Sequence, residues 1–459
     1  MSHIRPSIRK GILIAAAALV AVQIASFGHA SSASAATSNA VISVDGVVQS
    51  GWTISTIAGV TLLPVKPFAA SIGASVKWDQ AKKTTTVTQG SRSVQLNINS
   101  KTAVLNGQSI TLSSATVWKD GVLWVPAKAI GAAFGAQVAW NAASKTLSIS
   151  PRFHPFASNG KQGYVNVFGD TVIAAKYDEA NEFSNGLAIV GKGGKYGYID
   201  AKGKSIIGAV YSQAYDFSDG VALVEQDGTS YYVDAQGKTV LSPEYDELFD
   251  FSGGLALVRK DDLFGYIDHT GKEAIPLQFE DAFYFSGGLA AVQIDGKYGY
   301  IDVTGKVVIP AIYQHAFDFK EGFGLVQAEG ADGEGSFGYV NAKGQLAIAA
   351  EYAQGFSFSE GLAAVSNDGV FSYLNRKGEV ALTTEFADAG DFHDGLAYFE
   401  KDGKYGFIDK KGKIVIEPVY DSVESFDKGL ALAITGTEAK LIDTNGTVVA
   451  EAAAPEVDD

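Results

Sequence analysis

The sequence predicts a multi-domain chain: a small duplicated α+β domain, then an all-β tandem array of three-stranded units with a period of 34 residues. Three observations carry this prediction. The composition changes abruptly near residue 150, one stretch repeats itself at an offset of 62, and a Gly-Tyr-Ile/Val-Asp/Asn motif recurs downstream at near-constant spacing. The chain has 459 residues, a net charge of -15 and no Cys. Residues 36–150 carry +6, whereas residues 151–459 carry −24. All five Trp precede residue 151, and all 20 Tyr lie at or beyond Tyr164. Two compositions this different read as two modules. With 46% hydrophobic residues the chain has ample material for packed cores, which excludes global disorder. The absence of Cys removes disulfides, thiolate metal sites, iron–sulfur clusters, a Cys nucleophile and a lipid-anchored bacterial N-terminus. The acidic balance argues against a general nucleic-acid binder.

Residues 1–35 read as a signal peptide. Arg5, Arg9 and Lys10 precede an apolar run from Gly11 to about Gly28, and small residues follow. Ala33-Ser34-Ala35 fits an A-x-A cleavage site, and cleavage after Ala30 is the alternative. The expected mature protein is therefore secreted, with no membrane anchor after cleavage. It is either free or associated with the cell wall.

Residues 36–150 contain one unit twice. Leu63-Pro64-Val65-Lys66 aligns with Val125-Pro126-Ala127-Lys128, and Gly73-Ala74-Ser75-Val76-Lys77-Trp78 aligns with Gly135-Ala136-Gln137-Val138-Ala139-Trp140. In each copy a short helix begins at the Pro, which suits a first helical turn. Gly73 or Gly135 then supplies a left-handed stop. The alternating Val-x-Trp segment is a half-buried strand, and Thr84–Thr88 or Thr146–Ile149 returns beside it. Strand-rich stretches with Gly turns, Val41–Val48 and Val94–Leu105, lie ahead of the helices. These motifs resemble the copper amine oxidase N-terminal domain, a stalk domain of exported bacterial proteins. The resemblance implies a surface spacer or attachment module. It does not imply an oxidase, because this stretch has no His and no Tyr.

Residues 151–450 form the array, and residues 451–459 an acidic tail. The motif's last residue falls at Asn166, Asp200, Asp234, Asp268, Asp302, Asn341, Asn375, Asp409 and Asp443. A second series, Phe183, Phe217, Phe251, Phe285, Phe319, Phe358, Phe392 and Phe426, keeps the same steps. Both place a five-residue insertion around Glu329–Ser336. The period suits helical repeats, but the Gly and β-former content and the missing 3.6-residue rhythm refute them. Each of the eight to nine units reads as three strands. In one, Leu289–Val292 turns at Asp295-Gly296 into Lys297–Ile301, which turns at Asp302–Gly305 into Val307–Ile309, ended by Pro310. Gly299 has no side chain, so a neighbouring layer can approach closely, and Tyr298 and Tyr300 face away from Ile301. The first and last units are degraded, as caps are. An open superhelical stack is therefore the favoured arrangement, with a propeller-like toroid as the alternative.

The aromatic-Gly pairs and the Tyr-Ile-Asp-x-x-Gly-Lys turns, as in Lys195–Lys204, Lys297–Lys306 and Lys404–Lys413, resemble the WG-repeat family over about residues 160–450. That resemblance implies an interaction or surface module. The name-giving Trp is replaced by Tyr196, Tyr298 and Tyr405, or by Phe264 and Phe337. A role for an indole N–H is thus lost, while a packing role survives.

No catalytic, metal or cofactor residue is assigned from the sequence. The nine Asp/Asn read as turn formers that accept backbone hydrogen bonds, since no loop gathers a calcium-binding set. His154, His269, His315 and His393 occupy non-equivalent positions without zinc spacing. Nucleotide and hydrolase motifs are missing. Connector aromatics (Tyr177, Tyr211, Tyr245, Phe279, Tyr313, Tyr352, Phe386, Tyr420) and the Phe183 series are expected to fill the core. The acid pairs of the connectors, Asp178-Glu179, Asp246-Glu247 and Glu280-Asp281, are expected on solvated faces. The expected function is non-enzymatic binding or scaffolding at the cell surface through protein–protein interaction. Binding of carbohydrate or a wall polymer through exposed Tyr and Phe is the alternative, and a repeat-scaffold hydrolase the second alternative. Weak calcium association, a surface protein or wall polymer as partner, and no nucleic acid complete the expectation. The charge split further implies a basic stalk lying on anionic wall polymers with the acidic repeats standing away from them.

Overall fold

A computed structural model describes residues 36–38, 40–330 and 335–452. The expected signal segment, residues 1–35, and the acidic tail beyond Ala452 lie outside the described residues.

The N-terminal module has three sheets and two short helices, α1 (Val65–Ser71) and α2 (Ala127–Ala133). Pro64 and Pro126 sit at the N-caps with non-helical backbone, one position earlier than a first-turn Pro. Gly73 and Gly135 take φ of 70° and 73°, so both helices stop as the sequence predicts. The two Pro-bearing strands, Val60–Pro64 and Val122–Pro126, pair antiparallel with Val125 opposite Leu63. The duplication in sequence is therefore a pseudo-two-fold in space. Both halves share one core, in which Phe68 of α1 and Ile72 at its C-cap meet Ile130 of α2 and Phe134 at its C-cap.

Nine sheets follow in chain order, each an antiparallel meander; we call them blades 1 to 9. Blade 5 is representative, with strands Asp281–Ala282, Leu289–Ile294, Lys297–Asp302 and Val307–Tyr313. It has four strands where the sequence suggests three, because the connector contributes a short first strand. Its last strand also continues past Pro310. Tyr298 pairs with Tyr313 but Tyr300 pairs with Ile309, so the last strand bulges between them. Pro310 occupies this bulge, where its missing N–H costs no ladder bond. The bulge lies directly over Gly299: a Cβ there would fall 2.5 Å from the Ile309 carbonyl oxygen and 2.6 Å from the Ala311 nitrogen. The close neighbour is thus the blade's own edge strand. Gly163, Gly197, Gly265, Gly338 and Gly406 are overlaid in the same way. Tyr300 and Ile301, although on opposite faces, are both buried because each blade is covered by neighbours on two sides. All eight Phe of the second series are buried, as are Tyr177, Tyr211, Phe279, Tyr313 and Phe386, whereas Tyr245, Tyr352 and Tyr420 are only half-buried. All nine Asp/Asn side chains accept hydrogen bonds from backbone N–H groups two and four residues on, as turn formers do.

The favoured open stack gives way to the closed alternative. Val165 of blade 1 shares a hydrophobic cluster with Leu430 and Leu441 of blade 9, flanked by Val167 and Val449. Gly169 abuts the Val449 carbonyl so closely that a Cβ would lie 2.5 Å from its oxygen. Degraded terminal units are caps in a stack but a seam in a ring, and here they meet each other.

One rim of the ring is stitched blade to blade. Ser218, Ser252, Ser286 and Ser359 each donate to the carbonyl of the next blade's Phe, at 2.5 to 2.7 Å. The acids Asp219, Glu360 and Asp394 accept from Gly254, Gly395 and Gly429 of the following blade. Blade 1 (Phe153–Ser158, Lys161–Asn166, Thr171–Tyr177) has only three strands and lacks this rim element. Two pieces fill its place. Lys428 of blade 9 reaches across to the Phe183 carbonyl at 3.1 Å and to Glu182 at 3.3 Å, in blade 2. From the N-terminal module, the Asp45-Gly46 hairpin places an Asp45 oxygen 2.9 Å from the Gly186 N–H. Val44-Asp45-Gly46-Val47 thereby stands where a blade would present a segment like Ser218-Asp219-Gly220-Val221, with Asp45 and Asp219 at φ 47° and 50°. The module is therefore docked and does not stand apart. Arg92 lies 3.6 Å over the Phe168 ring and 3.4 Å from Asp170, and the two helix-stop glycines touch adjacent blade turns: Gly73 at Ala201, Gly135 at Val167 and Phe168.

Candidate functional site

Contacts that reach past an intervening blade are possible only near the axis of a ring, as with Lys428 and Glu182 across blade 1. The connectors, which carry the buried Phe series, line this region. All but the last, that of blade 9, are fixed by a tyrosine of the preceding blade. Tyr164, Tyr198, Tyr232, Tyr266, Tyr300, Tyr339 and Tyr373 are buried and donate to the carbonyls of Asn181, Tyr215, Phe249, Phe283, Phe317, Phe356 and Gly390 at 2.6 to 2.8 Å. Burial pushes these hydroxyls far above the ordinary tyrosine range. They act as permanent donors, and each adds about 1 kcal/mol to the order of its connector.

What the connectors present is an aromatic row beside a carboxylate row. Tyr215, Phe249, Phe283, Phe317 and Phe356 sit two positions before the buried Phe in five consecutive blades. Of these, Tyr215 (45%), Phe283 (39%) and Phe317 (42%) are well exposed, as is Tyr284 at 38%. One position before the buried Phe stand Asp216, Asp250, Asp318 and Asp391. Burial raises the carboxyl of Asp250 to about 6, with the neighbouring Asp216 adding to it. Burial also raises Asp318 and Asp391, while His393 and Lys320 oppose the rise at Asp391. One oxygen each of Asp250 and Asp391 is buried without a hydrogen-bond partner. A groove of about 670 Å³ opens between blades 3 and 4, lined by Tyr215, Tyr245, Glu247, Asp250 and Tyr284.

At the seam, burial pushes Glu182 up, but His154 at 3.1 Å and Lys428 at 3.3 Å more than offset it and hold it below the usual range. The four histidines fall in blades 1, 4, 6 and 8, and His269 stacks on Phe251 with centroids 4.0 Å apart. No group of three potential metal ligands occurs among the described residues. No helix among them is long and apolar enough to cross a membrane.

The carboxylate row is not the one the sequence reading singled out. Asp246 and Glu247 lie beside the blade 3–4 groove, but the recurrent acid is the residue before the buried Phe. Its signal was present as an aromatic-x-Phe triplet at the 34-residue spacing. The lost indole role also proves smaller than expected. Tyr196, Tyr298 and Tyr405 donate their hydroxyls to Glu179, Asp281 and Asp388, each 17 residues earlier. At these three positions the phenol supplies a side-chain donor; Phe264 and Phe337 supply none.

The profile of the WG containing repeat matches eight successive units between residues 163 and 435. The chain belongs to the WG-repeat family. Residues 52–149 match the copper amine oxidase N-terminal domain. The WG-repeat ring has distant likeness to several solved structures. A eukaryotic initiation factor aligns at 13% identity and TM-score 0.48, covering 64% of this chain and 94% of that one. Dihydro-heme d1 dehydrogenase NirN aligns at 13% and 0.35, covering 58% and 73%. Hsv2p of Kluyveromyces lactis aligns at 10% and 0.28, covering 56% and 89%. With every score below 0.5, these likenesses carry no inference about fold or function. No curated protein matches the chain.

Proposed function

We propose that this WG-repeat protein is an exported, non-enzymatic scaffold that binds a partner protein at the cell surface through the connector face of its ring. The observation that supports this most is the pairing of exposed aromatics with carboxylates on connectors that buried tyrosines hold rigid. Prefixed side chains lose little entropy on binding, and aromatics next to charges are the usual anchors of protein interfaces. The partner segment would be apolar and basic. The recurrence of the acids from blade to blade favours binding over catalysis, which needs one singular pocket. Export rests on the basic start, apolar run and A-x-A site of residues 1–35. The three exposed aromatics of the row also favour the second reading, stacking on a glycan.

The test is retention of surface-extract proteins, and separately of purified peptidoglycan, by the immobilised mature chain with and without calcium. Phe283→Ser with Phe317→Ser should cut protein retention at least about tenfold. Equal retention by the variant would defeat the connector face as the binding surface. Loss confined to peptidoglycan would favour the glycan reading. Sequencing the N-terminus of exported material tests cleavage after Ala35 or Ala30.

A further inference from the structure

The duplicated N-terminal module contains its own internal comparison. Its pseudo-two-fold relates two concavities of similar size, each about 540 Å³. One is lined by Trp52, Trp78, Trp118, Trp124 and Lys66. The other is centred on Trp140, with Thr56, Thr61 and Lys145. Trp78 and Trp140 are equivalents at the offset of 62; by the same offset Trp118 corresponds to Thr56, Trp124 to Leu62 and Trp52 to Ser114. The other half builds the same fold with smaller residues at these three positions; Trp52 packs against the shared core, which leaves Trp118 and Trp124 as indoles beyond what the fold requires.

Their arrangement is that of a platform. Trp78 and Trp118 stack with ring centroids 5.1 Å apart and planes 27° from parallel. The Trp78 N–H is held by the Gln80 side-chain oxygen at 2.9 Å, which fixes the ring's orientation. Trp118 remains 41% exposed. Large apolar faces left in water beside a concave wall are the mark of a binding site. Among the described residues the only charged side chain in the lining is the exposed Lys66, and none of them brings a carboxylate to the cradle. The module as a whole is +6.

We propose that this tryptophan cradle binds an anionic polysaccharide. The C–H faces of pyranose rings are apolar and stack on indole faces, while an acidic substituent of the sugar meets the Lys66 ammonium. The site lies on a different domain from the connector face, so its failure and that of the scaffold reading are separable.

The experiment titrates the mature chain, followed by tryptophan fluorescence and calorimetry, with three probes. Polygalacturonate supplies ring and charge, cellohexaose ring alone, and polyglutamate charge alone. Polygalacturonate should bind best. Trp118→Thr and Trp124→Leu carry the residues that the other half already tolerates, and should weaken binding at least about tenfold. Lys66→Gln should weaken it several-fold and flatten its salt dependence. Trp140→Phe should leave it unchanged. Thermal melting checks that each variant folds, and Lys66→Gln keeps the test decisive should Trp118→Thr not fold. The proposal is overturned if polygalacturonate does not bind at millimolar sugar, if polyglutamate binds equally well, or if the folded cradle variants bind as the parent does. Cellohexaose binding as tightly as polygalacturonate overturns the anionic preference.

Discussion

Blade 1 and blade 5 use the same central hairpin and the same Gly-over-bulge device, yet they are held in the ring differently. Blade 5 brings its own first strand and bonds forward, through Ser286, to Phe319 of its neighbour. Blade 1 brings none, and its rim position is filled by Asp45 from upstream and Lys428 from the far end of the chain. A ring made from a linear array has one place where the chain cannot supply continuity. There the protein uses a hairpin from another domain with the backbone geometry of its own repeat. The module attached to blade 1 is in that respect a structural part of the ring.

The largest expected effect tests what the two blades share. Gly299→Ala and Gly163→Ala each drive a Cβ into the backbone of the bulged strand, and each should cost about 3 kcal/mol in urea unfolding. A markedly smaller loss at Gly163 would mean that blade 1 depends on its borrowed partners more than on its own bulge. The next tests what differs. Lys428→Met leaves Glu182 half-buried with only His154 beside it, and should cost about 2 kcal/mol. Asp45→Ala leaves the Gly186 N–H unpaired and should cost about 1 kcal/mol, close to Asp219→Ala at Gly254. Only Asp45→Ala should also speed proteolysis between the module and the ring. Equal proteolysis of the two variants would break the comparison.

The smallest effect lies on the connector face. Because the folded-state pKa of Asp250 is raised to about 6, its contribution is fully present below its ordinary value of 3.8 and is lost as pH rises through about 6. Asp250→Asn does not titrate. Parent stability relative to this variant should therefore fall between pH 4 and pH 7, by about 1 kcal/mol after allowance for solvent screening. Parallel stability curves would show that the carboxyl is not perturbed.

Local chemistry was legible in the sequence, and relations between units were not. Asp302 was readable as a turn former because its partners lie two and four residues away. Phe319 was readable as core because the series repeats. Gly299 announced a close approach without saying to what, since a four-for-two bulge leaves no mark in hydrophobic alternation. Closure was hidden for a deeper reason. It depends on a small blade-to-blade rotation summed over nine sheets, which no single residue encodes. The connector row leaves a fainter mark than the adjacent acid pairs, because it is an aromatic and a single acid just ahead of a buried Phe. The mimicry by Asp45-Gly46 is a relation between two domains, and neither domain's own pattern encodes it.

The seven pinned tyrosines have a spectroscopic consequence. A phenol sealed between blades cannot lose its proton to base while the seal holds, so its tyrosinate absorbance stays dark. In an alkaline jump the exposed phenols would ionise at once, and the sealed ones only as fast as their own junctions part. Phe407 occupies the corresponding place ahead of blade 9 and meets Phe426 edge to face, without a hydroxyl to donate. The protein thus carries a native optical clock for seven of its nine junctions, silent at the seam and at the junction of blades 8 and 9.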